Sequence, residues 1–193
     1  MRVAALTGSA LEASLDDVAG LRLRVFAEWP YLYDGDLAYE ARYLQTYRDT
    51  PRAIVAGAFD GTQLVGASTG TPLAEHADDF AAAFDGTGID LSQVFYCAES
   101  VLLPAYRGRG LGHRFFDLRE THARDLGFAK CCFCAVIRPL DHPARSATYR
   151  PLDSFWRGRG YAPLESVIAQ FSWRDLGQGE ETSKPLQFWI KDL

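Results

Sequence analysis

Residues Arg107-Gly108-Arg109-Gly110-Leu111-Gly112 place three glycines at alternate positions, with two arginines among them, directly after the apolar run Val101-Leu102-Leu103. Glycine at that density costs backbone entropy, so something in this turn requires positions without side chains. The preceding segment, QVFYCAESVLL, reads as a strand and the following one, GHRFFDLRETHARDLGF, as a helix closed by Gly127. A strand–turn–helix of this kind aims the first unpaired N–H groups of the helix into the turn, where the helix dipole adds positive potential. The chemistry is anion binding. Bare positions at Gly108, Gly110 and Gly112 would let a pyrophosphate approach the backbone, and Arg107 and Arg109 can add charge-assisted contacts. Spacing separates the turn from two familiar phosphate loops. A P-loop carries Lys-Ser/Thr where this chain has His113-Arg114, and the dinucleotide fingerprint is G-x-G-x-x-G rather than G-x-G-x-G.

The elements around this turn read as a mixed α+β domain. RVAAL opens with a short strand. SLDDVAGLRLRVFAEW follows as a helix, with Ser14 at its cap, Asp16 and Asp17 in its first turn and Pro30 as its stop. Tyr39, Tyr43 and Tyr47, four apart, mark a second helix whose stripe reads as packing. RAIVAGAFD and TQLVGASTG flank Asp60-Gly61, a hairpin signal. PLAEHADDFAAAF reads as a short helix ended by Gly86. KCCFCAVI reads as a buried strand, LDSFWRGRGY as a short helix, and SVIAQFSW and LQFWIKDL as closing strands. With 193 residues and no repeat or linker, the chain reads as a single domain spanning 1–193.

Composition narrows the partners. Net charge is −5, which argues against nucleic acid, yet Arg107 to Arg124 holds five arginines, two histidines and two acids. A local basic patch on an acidic chain fits a small polyanion. No run approaches the roughly 18 apolar residues of a membrane span, and the N-terminus lacks the pattern of a signal peptide, so a cytoplasmic location is the expectation. Cys131, Cys132 and Cys134 sit in apolar company with no second CxxC, so no metal site is expected. Strand alternation sends Cys132 and Cys134 to one face and Cys131 to the other.

The stretch LLPAYRGRGLGHRFFDLRETHARDLGF resembles the acetyl-CoA-binding motif of the GNAT superfamily of N-acyltransferases, whose pattern R/Q-x-x-G-x-G/A opens a helix after an apolar strand. The order of the strand hairpin, KCCFCAVI, FWRGRGY and the closing strands extends that resemblance over most of the chain. It implies a central, mostly antiparallel sheet flanked by helices, in which the strand ending at Leu103 splays from the strand at Lys130 to Ile137. It also implies acetyl-CoA as co-substrate, with pantetheine along Val101, Leu102 and Leu103 and pyrophosphate at Arg107 to Gly112 beside His113. The N–H of Leu102 would polarise the thioester carbonyl, and an amine of a small or amino-acid-like molecule would receive the acyl group. Glu99, the one acid in its strand, is the candidate base, with an arginine pair or substrate binding as its other readings. Trp156 occupies the position where many relatives carry an acidic tyrosine, and Tyr149 is the candidate substitute. That departure also admits a non-catalytic acyl-CoA-binding protein. Trp29, Tyr31, Tyr33, Asp34 and Asp36 would face the acceptor, and aromatic rings with carboxylates suit a cationic amine. The same loop would equally serve helix packing or a homodimer interface.

Overall fold

One seven-stranded sheet, in the order β1-β2-β3-β4-β5-β7-β6, carries the whole chain in the computed structural model, which describes residues 1–76 and 80–193. In chain order the elements are β1 (Arg2–Leu6), α1 (Gly8–Glu12), α2 (Leu15–Phe26), α3 (Leu37–Asp49), β2 (Ile54–Asp60) and β3 (Gln63–Pro72). They continue with β4 (Val94–Leu102), α4 (Leu111–Asp125), β5 (Lys130–Val136), α5 (Asp153–Gly158), β6 (Ala162–Arg174) and β7 (Glu181–Asp192). The pair β4–β5 is parallel and the other pairs are antiparallel.

Helices cover both faces, which is why β2, β3 and β5 are near-continuous apolar runs. On one face α2 and α3 bury Val18, Leu21 and Leu44 against Val55 and Val101. On the other, α4 buries Leu111 and Phe115 against Val65, and Phe116 against Phe133 and Trp189. Cys132 and Cys134 belong to one cluster and Cys131 to the opposite one, as strand alternation requires.

Three local readings change. The sequence pattern did not announce α1, and its presence alters Ser14: the hydroxyl donates to Ala10 O (2.8 Å) instead of capping α2. The stretch read as a helix after β3 forms two 3₁₀ turns, Leu73–His76 and Ala81–Phe84, while residues 77–79 lie outside the described residues. The closing strands are also longer than expected: β6 starts four residues earlier, where Ala162 and Pro163 pair with Ile190 and Trp189, and β7 starts at Glu181, nearer the Gly177 turn.

The feature that positions the site is a split between β4 and β5. They pair only from Val94↔Lys130 to Tyr96↔Cys132. Beyond that point β4 stays on β3 as far as Leu102↔Gly66, and β5 stays on β7 as far as Val136↔Leu186. The divergence coincides with a register shift in β3 between Thr69 and Thr71. Arg119, buried on the α4 side, clamps this irregularity. It donates to Thr69 O (3.1 Å), Glu99 O (2.9 Å) and Ser100 Oγ (2.9 Å), satisfying carbonyls that a regular ladder would have paired.

Candidate active site

The turn after β4 is shaped by two glycines. Gly108 and Gly110 have φ of 74° and 76°, a region that L side chains rarely enter, and a Cβ at either position would meet nothing within 4 Å. Their surroundings are open. Gly112 differs, since its Cβ would point at the Phe155 ring of α5, 3.4 Å away, and not into open space. Gly110 is the N-cap of α4, and the first helical bond runs from Arg114 N to Gly110 O (3.3 Å). The N–H groups of Leu111, Gly112 and His113 therefore precede the ladder, and a glycine cap has no side chain to occupy them. The first turn contains no acidic residue. This end of α4 fits an anion such as a pyrophosphate.

Arg107 and Arg109 hold the turn as well as flanking it. Arg107 donates to Leu102 O (3.1 Å) and pairs with Glu28 (2.8 Å), and Arg109 donates to Ala105 O (2.9 Å). His113 packs on the Phe155 ring at 4.8 Å. Leu103 N–H donates to Val65 O (3.1 Å) across β3–β4. Successive residues of a strand point their N–H groups to opposite sides, so Leu102 N–H faces away from β3 and into the split. Val101 points its side chain into the core and, by the same alternation, its N–H toward β3, so the expected contact of Val101 with the cofactor has neither group in the split.

Across β4 lies a cavity of ≈ 500 Å³ between the α2–α3 face and the outer strands. Glu99 stands in its wall, paired with Arg22 from α2, which also pairs with Glu40 from α3. Glu40 is fully buried. Tyr43 donates to Glu99 Oε2 (3.1 Å) and shares a 2.8 Å hydrogen bond with Tyr47, and its ring lies under the Arg22 guanidinium at 4.2 Å. Burial works against the charge of Arg22, but Glu99, Tyr43 and Glu40 outweigh it and hold the guanidinium above its ordinary value. Burial, then the charge of Glu99, pushes the Tyr43 and Tyr47 phenols up, so both keep their protons.

The matching family description is the Acetyltransferase (GNAT) family, aligned over residues 22–153, more than half of the chain. The chain belongs to the GNAT family. A search of curated proteins returns no match. Among solved structures, the ribosomal-protein-alanine N-acetyltransferase of Brucella melitensis is 15% identical with a TM-score of 0.65, all of both chains being covered. An aminoglycoside 6'-N-acetyltransferase complexed with coenzyme A is 17% identical with a TM-score of 0.60, covering all of this chain and 97% of that one. The structure of yncA from Salmonella typhimurium with acetyl-CoA is 13% identical with a TM-score of 0.61, covering all of this chain and 94% of that one.

Within this GNAT fold the loop after α2 is tied over the cavity. Arg138 donates twice to Asp175 (2.7 and 2.8 Å) and also to Pro30 O (2.9 Å) and Tyr31 O (2.7 Å). Tyr31, Tyr33, Asp34 and Asp36 line the cavity beside Glu99, whereas Trp29 packs elsewhere, with its ring 4.9 Å from His142 and 6.2 Å from Tyr149. Asp36 also caps α3 by accepting from Tyr39 N–H (2.9 Å). Tyr149 lines a separate shallow depression with Leu140, His142 and Arg145. Trp156 packs between Phe133 (5.0 Å) and Trp189 (5.1 Å). Burial, with Cys134 and Glu99 next, pushes the Tyr31 phenol up.

Sequence reasoning passed over Arg22, Glu40, Tyr96 and Trp173, and it read Tyr43 as packing. A signal existed: Arg22 sits on the same helical face as Val18 and Leu21, and Glu40 on that of Leu44 and Tyr47. Charges of opposite sign on two apolar helix faces imply a buried pair. Among the described residues no group of three or more His, Cys, Asp or Glu side chains could hold a metal ion. None of the helices there is long and apolar enough to cross a membrane.

Proposed function

We propose that this GNAT chain transfers an acetyl group from acetyl-CoA to the amine of a small molecule. The observation that carries the reading is the placement of two unlike surfaces on either side of one strand end. The open N-terminus of α4 and Leu102 N–H stand at the split, and a cavity walled by Glu99 lies beside it.

Acetyl-CoA supplies an activated acyl group as a thioester. The N–H groups of Leu111, Gly112 and His113 would hold its pyrophosphate, with Arg107 and Arg109 adding charge at the rim. The strand end from Val101 to Leu103 would line pantetheine, and Leu102 N–H, which faces away from β3, would hold the thioester carbonyl oxygen as negative charge develops there. Glu99 would take the first proton from the incoming ammonium, and Arg22 and Tyr43 would keep its carboxylate aimed. As the N–C bond forms and the C–S bond breaks, a tyrosine would return a proton to sulfur; Tyr149 is the candidate the sequence offers, although it lines the separate depression beside Trp29. Tyr31, on the cavity wall, is the alternative donor. The second proton of the amine then restores the tyrosine through solvent.

Free thiol release with acetyl-CoA and a panel of amines tests this reading. Glu99→Gln should lower kcat/KM by about 10²–10⁴-fold near neutral pH while CoA affinity holds. Comparing Tyr149→Phe with Tyr31→Phe assigns the proton donor, since only the true one should depress kcat at high pH. Trp156 favours one rival, a protein that binds acyl-CoA without turning it over. Tight CoA binding with no amine-dependent thiol release would establish that rival.

A further inference from the structure

Resting on the acetyl-transfer reading, we propose that the acceptor is a single primary amine entering as a cation on an aromatic body, with no carboxylate or phosphate of its own. The charges that line the cavity decide this. Among the described residues its Lys or Arg side chains are Arg22 and Arg174, with His76 beside them, against four carboxylates, Asp34, Asp36, Glu99 and Glu181. Neither arginine is spare. Arg22 holds Glu40 and Glu99, and Arg174 holds Asp34 at 2.7 Å. An anionic group on the acceptor would pass Asp34, Asp36 and Glu181 on the more exposed part of the lining and meet Glu99 inside, with no unpaired guanidinium to receive it.

The cations just behind the wall are committed too. Arg138 is held by Asp175 and two loop carbonyls. Lys184 donates to Trp173 O and Thr182 Oγ1 and lies 3.3 Å from Asp175. Arg119 is buried on the opposite face of β4. Its donors go to Phe115 O, Thr69 O, Glu99 O and Ser100 Oγ; of these residues only Glu99 lines the cavity, and Arg119 takes its backbone carbonyl, not its carboxylate.

The body of the acceptor is read from the rings. Tyr31 and Trp173 pair at 6.0 Å on one side, and Phe80 packs on Tyr96 (5.2 Å) and Phe171 (6.2 Å) on another. Ring faces attract both an ammonium and a flat apolar group. A cavity of ≈ 500 Å³ suits a compact ligand of that kind. A polyamine offers these rings no flat apolar body, and at the mouth Arg174 already sits on Asp34. Glu99, the carboxylate facing the split, therefore receives the one ammonium, and the rings receive what it is attached to.

The test uses the wild-type protein and matched probes: 2-phenylethylamine, phenylalanine, n-butylamine and spermidine as acceptors with acetyl-CoA. Calorimetric titration with the quaternary cation phenethyltrimethylammonium runs alongside. The expected result is a kcat/KM for 2-phenylethylamine about 100-fold above phenylalanine, the scale on which a site rejects a group it leaves unpaired. It should also exceed n-butylamine and spermidine, and the quaternary cation should bind and compete with the amine. Equal or better turnover of phenylalanine or spermidine would overturn the proposal while leaving acetyl transfer standing. Binding of the quaternary cation with no thiol release from any amine would retain the cation site and remove the acetyl-transfer reading. Failure of the quaternary cation to bind, with turnover of n-butylamine as fast as 2-phenylethylamine, would also overturn it.

Discussion

The proposed donor side of this site rests on backbone N–H groups within one unbroken stretch, Leu102 to His113, whereas the proposed acceptor side is built from side chains brought by α2, α3, β4 and the outer strands. The two materials fail differently. A backbone surface depends on a few φ angles and on what lies in front of it, so most side-chain changes leave it intact. A buried side-chain cluster depends on charge balance, and deleting one member leaves the others uncompensated in a poor solvent. Substitutions that strike one side only should therefore separate cofactor affinity from stability and acceptor use.

The largest effect should come from Arg22→Met. Glu40 and Glu99 would lose the guanidinium between them while remaining buried, a change that costs on the order of 3–5 kcal/mol. Urea unfolding should show that loss. A loss under about 1 kcal/mol would mean that the two carboxylates are not held as ion pairs, and the contrast between the sides would dissolve. On the donor side, Gly110→Val places a β-branched residue at φ 76°, and a left-handed L-residue costs roughly 1–2 kcal/mol. Its side chain would also stand in the open space before α4. CoA affinity should fall at least about 10-fold, the equivalent of roughly 1.4 kcal/mol, while calorimetric binding of an amine to the cavity is unchanged.

That contrast also explains what could be read without coordinates. The donor side was legible because everything it needs is local: an apolar strand, positive-φ glycines and a helix start lie within about a dozen residues, and local geometry maps onto sequence spacing. The hairpin at Asp60-Gly61 followed from the same kind of pattern, and the split after β4 from family resemblance. The acceptor side was legible only in part. Tyr31, Tyr33, Asp34 and Asp36 stood out as an aromatic and acidic loop, but Trp29 from the same loop turned to His142. Neighbours in an irregular loop have no fixed period that sorts them to one side. Arg22 and Glu40 are 18 residues apart on different helices, and their partnership depends on how α2 packs against α3. Tertiary packing chose it. Gly112 shows the limit even in the local motif, since the ring it accommodates belongs to a helix more than 40 residues later.

A smaller effect belongs to the strap that ties the acceptor loop. Burial alone would raise the Asp175 carboxyl, but Arg138 and Lys184 outweigh it and hold the group below the ordinary carboxylate value. Because the folded pKa is the depressed one, the pair contributes stability above the unfolded value of about 3.9, and this is lost as pH falls through the folded pKa. Unfolding midpoints measured from pH 5 down to pH 2 should fall more steeply for the wild type than for Asp175→Asn. Equal slopes would show that the strap is not charged in the folded protein.

The smallest effect is the one that most sharply tests the division of labour among the glycines. Gly112 has an ordinary helical backbone, so alanine there meets no conformational barrier and gains helix propensity. Its methyl would arrive 3.4 Å from the Phe155 ring, at the edge of ordinary contact, and that ring is packed on Phe116 at 5.7 Å and His113 at 4.8 Å. Gly112→Ala should therefore change stability by less than about 1 kcal/mol, the range of small overpacking relieved by a slight ring shift. CoA affinity should stay within about twofold, because the methyl points at α5 and the N–H of residue 112 is retained. A loss comparable with that of Gly110→Val would mean that the cofactor, not Phe155, is what keeps position 112 bare. The donor surface would then extend one residue further into α4 than its open N–H groups indicate.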